Sequence, residues 1–441
     1  MTRLSGWGRT PVAECRVKTA RNARDVAEAL SEGPMIARGN GRSYGDPALS
    51  RGLTLSMAGL DRMLSFDAET GTLVAEAGVL LADIIATFLP RGWFPAVTPG
   101  TKFVTLGGAI AADVHGKNHH RDGSFRSCVE WVEVVEDGGA PRRIDRHADP
   151  ERFDTICGAM GLTGVILRAA IRLRPVESAW IMQETIAAES IDAAIDIFED
   201  NLDAPYLVAW IDCIGHPPRL GRSILMMGRH ARAAELPPRR RRAPFDTPRR
   251  LPLRVPFNLP GFVLNAANLR LFNALHYEMG RRKAGVSLID WDRYFYPLDS
   301  IADWNRIYGR AGFHQFQCAL PLDTARAALS QMLDDISEAG TGSFLSVLKR
   351  FGKGEGRYSF PFEGYTLALD FPAGAHSDAL IERLDRITLD HGGRFYLAKD
   401  ARLSAETFHA ADPRFAALRD LRRANGWADR FTSLQSERLG L

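Results

Sequence analysis

Residues 313 to 399 hold six consecutive segments of defined hydrophobic period, and their order restricts the fold more than any other feature of the chain. "FHQFQCALP", "SFLSVLKRFG", "GYTLALDFP" and "RFYLAK" read as strands, alternating apolar and polar residues or running apolar. "TARAALSQMLDDISEAG" and "SDALIERLDRITLDHGG" place apolar residues at helical spacing. The order is βαββαβ, a ferredoxin-like arrangement. Asp323 and Ser377 are the expected helix N-caps, and Gly340 and Gly392 the expected stops.

The chain ahead of this unit reads differently. Residues 22–32 form an expected helix, 34–38 a buried strand, and 63–78 a hairpin turning at Thr70-Gly71. Residues 80–92 have helical periodicity and a glycine stop, while 130–139 and 163–176 alternate as half-buried strands. The part up to about residue 177 is therefore α+β with several antiparallel strands, not a run of regular βαβ units. A length of 441 residues implies two domains. No internal sequence repeat is visible. A Pro/Arg-rich segment, 228–260, reads as a long, mobile, basic loop within the second domain.

Charge narrows the function classes. The formal net charge is +3, so nothing in it argues for nucleic-acid binding. Ten arginines nevertheless fall between Arg222 and Arg254, against only Glu235 and Asp246. Five cysteines without CxxC spacing imply free thiols in a reducing compartment. The N-terminus has no apolar run resembling a secretion signal, and no stretch of about 18 apolar residues occurs. A cytoplasmic protein is expected, with peripheral contact to the inner membrane through the basic segment as one reading and a solvated loop as the other.

Two small-residue stretches carry the binding chemistry. "ARGNGRSYGD" (37–46) follows a strand and holds Gly39, Gly41 and Gly45, which leave backbone N–H groups free to cradle a phosphate. It is neither a Walker A loop nor a good Rossmann fingerprint, and a simple glycine-rich turn is its bland alternative. "TPGTKFVTLGGAIAADVHGKNHH" (98–120) combines Gly100, the pair Gly107-Gly108, three alanines and Gly116. Such a run admits close approach of backbone to a flat ligand, or of chain to chain. Two such stretches after strands favour a dinucleotide over either alone. A metal site among His115, His119 and His120 is disfavoured, because HxxxHH lacks the HExxH pattern and Gly116 and Asn118 disfavour a helix. Lys399 follows an apolar strand end, where a lysine holds an anion, acts as a base, or is simply solvated. Gln315 and Gln317 share one strand face and suit hydroxyl recognition or plain exposure.

Together "LSGWGRT", "ARGNGRSYGDPAL", "PGTKFVTLGGAIAADVHGKNHH", "GSF", "GLTGVILRA", "YPLDSIADWNRIYGRAGFHQFQ", "LDFP" and "YLAKDARLSAETFH" resemble the oxidase subunits of decaprenylphosphoryl-β-D-ribose 2′-epimerases, FAD proteins of the vanillyl-alcohol oxidase class. The resemblance covers nearly the whole chain, apart from the arginine-rich segment. It implies an FAD-binding α+β domain of the PCMH type at 1–177, a substrate domain at 178–393 containing the βαββαβ sheet, and a C-terminal segment, 394–441, that returns to the first domain. It further implies oxidation of the C2′ hydroxyl of a polyprenyl-phosphoryl ribose to a ketone, with hydride passing to the flavin. A separate NADH-dependent short-chain reductase then gives the arabinose epimer.

Residue by residue, the resemblance implies that Arg38, Gly39, Asn40, Gly41, Arg42, Ser43, Tyr44, Gly45 and Asp46 wrap the FAD diphosphate. Gly100, Thr105, Leu106, Gly107, Gly108 and Ala109 continue the cradle, and His115, Gly116, Lys117 and Asn118 lie near the flavin. Val165 and Tyr396 contact the cofactor. Lys117, Gln315, Gln317, Ala368 and Lys399 surround the sugar, with His115 beside them, and Lys399, His115 and Gln317 form the catalytic group. Lys399 is expected either to take the hydroxyl proton or to hold the developing alkoxide. Relatives with covalent FAD carry a histidine where this chain has Arg42, so non-covalent FAD is implied. Ala368 and Thr366 depart from the mycobacterial cysteine and the usual asparagine. The competing readings are an oxidase of a soluble sugar, alditol or aldonolactone, and a flavin-binding scaffold without turnover.

Overall fold

The computed structural model describes residues 1–441 except 137–138, 216–219, 249, 251, 344 and 355. The end of the strand expected at 130–139, one residue of that expected at 343–352, and residues 249 and 251 of the basic segment thus lie outside the described residues.

β1 (Thr2–Ser5), β2 (Val12–Thr19), β3 (Met35–Arg38) and β4 (Leu53–Ser56) form a sheet in the order β1-β2-β4-β3, with β2, β4 and β3 parallel. The helix Ala23–Ser31 crosses from β2 to β3, capped by Asn22, whose side chain accepts from the Asp25 N–H. The N-terminal part is therefore not wholly antiparallel. A second, antiparallel sheet joins β5 (Met63–Asp67), β6 (Thr72–Glu76), β7 (Trp93–Pro95), β8 (Val129–Val135), β9 (Arg142–Asp145) and β10 (Val165–Pro175). Its β5–β6 hairpin turns at Gly71, which has φ +72.

The remaining strands are β11 (Trp180–Ala188), β12 (Tyr206–Ile211), β13 (Ser223–His230), β14 (Leu253–Arg254), β15 (Gly285–Asp290), β16 (Ile301–Ala302), β17 (Phe313–Pro321), β18 (Val347–Phe351), β19 (Gly364–Pro372) and β20 (Arg394–Phe395). Eight of them make one sheet in the order β15-β11-β13-β12-β18-β19-β17-β20, while β14 and β16 pair separately. The second half, β18-β19-β17-β20, is the expected ferredoxin-like order, with antiparallel pairing throughout. The first half repeats it. β11, the helix Ile191–Asp200, β12, β13, the helix Ala266–Arg282 and β15 give the same βαββαβ path and the mirrored order β15-β11-β13-β12. The copies join edge to edge at Ala209↔Leu348. The sequence conceals this repeat because residues 231–265, rich in Pro and Arg, separate β13 from its following helix.

Strand alternation divides the second copy into two faces. Cys318, Leu320, Leu348, Leu367, Leu369 and Phe371 are fully buried beneath the helices Ala325–Ala339 and Ala375–Asp390. Gln315, Gln317, Val347, Lys349, Ala368 and Asp370 point the other way, and this polar face positions the site described below.

Several local expectations are corrected. The first of these helices begins at Ala325 with Thr324, not Asp323, at the cap position; the Thr324 hydroxyl donates to His391 O at 2.8 Å and so ties the two helices together. Ser377 lies inside the second helix, which starts two residues earlier behind Gly374. "RFYLAK" pairs only at Arg394 and Phe395, after which the chain turns, with the N–H groups of Lys399 and Asp400 donating to Tyr396 O at 2.9 and 3.2 Å. The basic segment is folded onto the protein rather than free. Its first residues finish β13, Arg229 pairs with Glu235, Arg250 with Asp290 and Arg254 with Asp303, and the Arg240 guanidinium stacks 3.8 Å from the Trp180 ring centre.

The C-terminal chain packs on the first sheet. Met35 N–H donates to Arg430 O at 2.8 Å, and Trp427 and Phe431 share a core with Met35, Leu53 and Leu55. Arg438 joins Asp46 and Asp400, each at 2.8 Å.

Candidate active site

The loop after β3 is held on three sides. The Trp7 and Gly8 N–H groups donate to Ser43 O and Tyr44 O at 2.8 and 2.9 Å, and Tyr44 N–H donates to Ala398 O at 2.9 Å. Gly45 has no room for a side chain: a Cβ there would lie 2.0 Å from Asp400 O. The glycine loop and the turn carrying Lys399 are therefore one rigid unit. Across the loop, a Cβ on Gly39 would meet Thr105 Oγ1 at 2.2 Å, and one on Gly108 would meet the same oxygen at 3.0 Å. That oxygen also caps the helix Leu106–Ala111 by accepting from Gly108 N–H. The two small-residue stretches thus converge on Thr105, and Gly100 beside them faces open space.

Between them lies a cleft of about 260 Å³ lined by both stretches and by β17–β19. One end is glycine loop, Gly39 to Tyr44, with Gly100, Thr105 and Gly108. The other is the polar face of β17–β19 with Gln315, Gln317, Ala368 and Lys349, closed by Tyr396 and Lys399. His115 also lines the cleft, beside Gln317. These residues fit a dinucleotide. The glycines leave backbone free where phosphates need it, and Lys349 supplies a cation at the polar face.

His115 is buried, with its ring 5.4 Å from that of Tyr396 and 4.7 Å from that of Phe351. Gln317 Nε2 stands 3.1 Å from both His115 Nε2 and Thr366 Oγ1. An amide NH₂ donates, so His115 Nε2 accepts and Nδ1 carries the proton. Nδ1 is buried and has no partner. Burial and then the charge of Lys349 hold the imidazole well below its ordinary pKa, so it is neutral. Gln315 Nε2 donates to Asp370 Oδ1. Burial raises the Asp370 carboxyl and lowers the Lys399 amine, while the attraction between the two opposes both shifts. Lys349 is pulled down to about 8 by burial. A lysine with a lowered pKa beside bound hydroxyls can take a proton near neutral pH.

Other expected residues fall outside the cleft lining. Lys117 turns away, with Nζ donating to Tyr294 O and lying 4.3 Å from the Tyr294 ring centre. Val165 is fully buried in another core with Leu53 and Phe431, paired to Val135. Arg38 is spent on Ser5 O at 2.8 Å and Ala48 O at 3.3 Å, and Asp46 on Arg438. Gly107 packs on Ala77, where a Cβ would lie 2.8 Å from the Ala77 methyl; Leu106 and Ala109 are core. Gly116 and Asn118 shape the turn before His119: Asn118 Nδ2 donates to Ala96 O at 2.8 Å, and a Gly116 Cβ would meet Asn118 Oδ1 at 2.6 Å. Gly45 backs the loop without lining the cleft. Among the described residues no group of His, Cys, Asp and Glu is arranged to hold a metal ion.

Sequence reasoning passed over Lys349, Asp370, Met160 and Asp299, all at or against the cleft. A signal existed for Lys349, because it interrupts the strand "VLKRF" on the face opposite buried Leu348.

Comparison with known proteins agrees with this geometry. Residues 15–145 match the FAD binding domain family. The decaprenylphosphoryl-β-D-ribose oxidase of Mycolicibacterium smegmatis is 38% identical over 100% of this chain and 97% of its own. An uncharacterized protein of the mprA 5′ region of Streptomyces coelicolor is 33% identical over 82% of this chain and 99% of its own. Bovine L-gulonolactone oxidase is 25% identical over 37% of this chain and 36% of its own. The chain belongs to the FAD-dependent decaprenylphosphoryl-β-D-ribose oxidase family.

Proposed function

We propose that the chain oxidises the C2′ hydroxyl of a polyprenyl-phosphoryl-β-D-ribose to the ketone. The observation that carries this is the shared cleft: the glycine cradle at one end, and Gln315, Gln317, Lys349 and Lys399 on strand and turn at the other. FAD, when bound, supplies the acceptor for the hydrogen on the carbinol carbon. Gly39 to Tyr44, Gly100, Thr105 and Gly108 hold its diphosphate, and His115 and Tyr396 flank its ring. Gln315 and Gln317 orient the sugar hydroxyls, Gln315 anchored by Asp370 and Gln317 by Thr366 and His115. Lys399 takes the hydroxyl proton at Nζ, which its burial makes feasible. Lys349 balances the substrate's phosphate charge.

The FAD is held non-covalently. Arg42 stands where a linking histidine would be, with its guanidinium 4.1 Å from the Trp7 ring centre and 5.1 Å from that of Phe103. The arrangement is of the vanillyl-alcohol-oxidase PCMH type: residues 1–177 bind the cofactor, 178–393 the substrate, and 394–441 return to the first unit. An NADH-dependent short-chain reductase completes the epimerisation. Support comes from the full-length relative named for oxidation of decaprenylphosphoryl-ribose. Product analysis with FAD-loaded protein tests it. A 2′-keto sugar should form from polyprenyl-phosphoryl ribose and not from free ribose, alditols or aldonolactones; the reverse preference would overturn the reading.

A further inference from the structure

Seven of the twelve exposed large apolar side chains among the described residues lie between Leu253 and Val286. Isolated exposed apolar residues are the norm, but several on one face of one helix are not. The helix Ala266–Arg282 carries its centre. Leu269, Asn273 and Tyr277 recur every four residues and are buried on the sheet, where Asn273 Nδ2 donates to Asp212 Oδ1 at 2.7 Å. Leu271, Leu275 and Met279 recur at the same interval on another face and are 60%, 55% and 52% exposed. Arg270, Arg281, Arg282 and Lys283 are exposed around them, against Glu278, which pairs with Arg281 at 2.9 Å.

The patch adjoins the cleft. Leu264, just ahead of the helix, packs with Trp304 and Tyr308, and Trp304 lines the cleft. Exposed Leu253 lies on β14, paired to Ile301 of β16 between the cleft residues Leu298 and Trp304. The apolar ridge therefore runs outward from the lip of the proposed active site.

We propose that this ridge docks the protein on an anionic phospholipid surface, with Leu271, Leu275 and Met279 entering the headgroup–acyl boundary and the surrounding arginines contacting lipid phosphates. An apolar stripe bordered by Lys and Arg is the pattern of an interfacial helix. A two-fold pairing of two copies across the same face is disfavoured, because it would bring like-charged rims together. The surface deepens the proposed function and rests on it in one respect: docking beside the cleft gives a lipid-linked sugar a path from bilayer to cleft. The arginine-rich segment before it contributes less, because Arg229, Arg250 and Arg254 are already paired with carboxylates.

The test uses FAD-loaded full-length protein and the variant Leu271→Asp/Leu275→Asp. Both side chains are exposed, so the fold has no need of them. Co-sedimentation is measured with phosphatidylcholine vesicles, and with vesicles in which a quarter of the lipid is phosphatidylglycerol. The parent should bind the anionic vesicles, lose binding with added salt, and bind neutral vesicles weakly; the variant should bind anionic vesicles at least about tenfold less. Turnover of a short-chain, water-soluble prenyl-phosphoryl ribose should be equal in the two, while turnover of vesicle-borne substrate should fall in the variant. Parent and variant binding anionic vesicles equally, or neither binding, overturns the proposal, as does a dimer in the parent that the variant disrupts. Vesicle binding with no turnover of either substrate leaves the docking surface standing and refutes the substrate reading instead.

Discussion

The Nζ of Lys399 lies 3.7 Å from the centre of the Tyr44 ring. Tyr44 belongs to the glycine loop and Lys399 to the turn that the loop's backbone holds, so the cofactor cradle and the proposed base move as one piece. The ring face favours the charged amine by about 0.5–2 kcal/mol, while burial favours the neutral one. Burial is the largest influence on Lys399, and the amine is poised to give up its proton near neutral pH.

Lys399→Ala should therefore reduce turnover by roughly 10²–10⁴-fold while leaving FAD bound. In the parent, kcat/KM should rise with pH as Lys399 deprotonates, at a pH below that of an ordinary lysine. That limb should vanish in the variant. Lys399→Arg separates the two roles: it keeps the charge but cannot deprotonate near neutral pH, so activity retained in it would assign the lysine to alkoxide stabilisation instead.

Gln317 is the only described side chain that hydrogen-bonds His115. Gln317→Leu should lower kcat by about tenfold or more and cost roughly 1–3 kcal/mol of stability, because His115 Nε2 is left unpaired in the interior, while Thr366 Oγ1 keeps its bond to Cys318 O at 2.7 Å. Steady-state kinetics and denaturant unfolding measure both; a change in KM alone would place Gln317 in substrate binding only.

Gly39→Ala drives a methyl into Thr105 Oγ1. FAD occupancy should fall sharply with the far-ultraviolet circular dichroism unchanged, and Gly39→Ala/Thr105→Ala should recover part of the occupancy. Retained flavin in the single variant would show that these two stretches do not bind the cofactor.

Burial holds His119 at about 3 and His230 at about 4, against about 6.5 when unfolded. Both are neutral in the fold, so their contribution to stability is complete above about pH 6.5 and is lost as pH falls toward the folded values. Urea unfolding should give a lower midpoint at about pH 5 than at about pH 7, and His119→Phe should flatten that slope. A midpoint independent of pH would contradict the burial of these groups.

Much of this architecture was legible in the residues. The βαββαβ pattern of 313–399 is strong because Phe316, Cys318, Leu320, Leu367, Leu369 and Phe371 recur at every second position and are buried on one face of β17 and β19. The matching first copy was hidden by the insertion before the helix Ala266–Arg282, and that helix is apolar on two faces, which blurs its period. Gly39 and Gly41 could be read because a side chain at Gly39 would meet Thr105 Oγ1 at 2.2 Å and Gly41 has φ +61. Lys349 and Asp370 could not, because their importance lies in register: Lys349 stands opposite Thr366, and Gln315 opposite Asp370. Lys117 lies over the Tyr294 ring, a contact that no local pattern in the residues announces.

The most direct measurement is anaerobic titration of the FAD-loaded protein with polyprenyl-phosphoryl ribose, following the visible flavin band. The band should bleach in proportion to substrate added, fail to bleach with Lys399→Ala, and return when oxygen or another acceptor is admitted. A flavin that stays oxidised in the presence of excess lipid-linked ribose, or a purified chain that takes up no FAD, would contradict the proposed reaction.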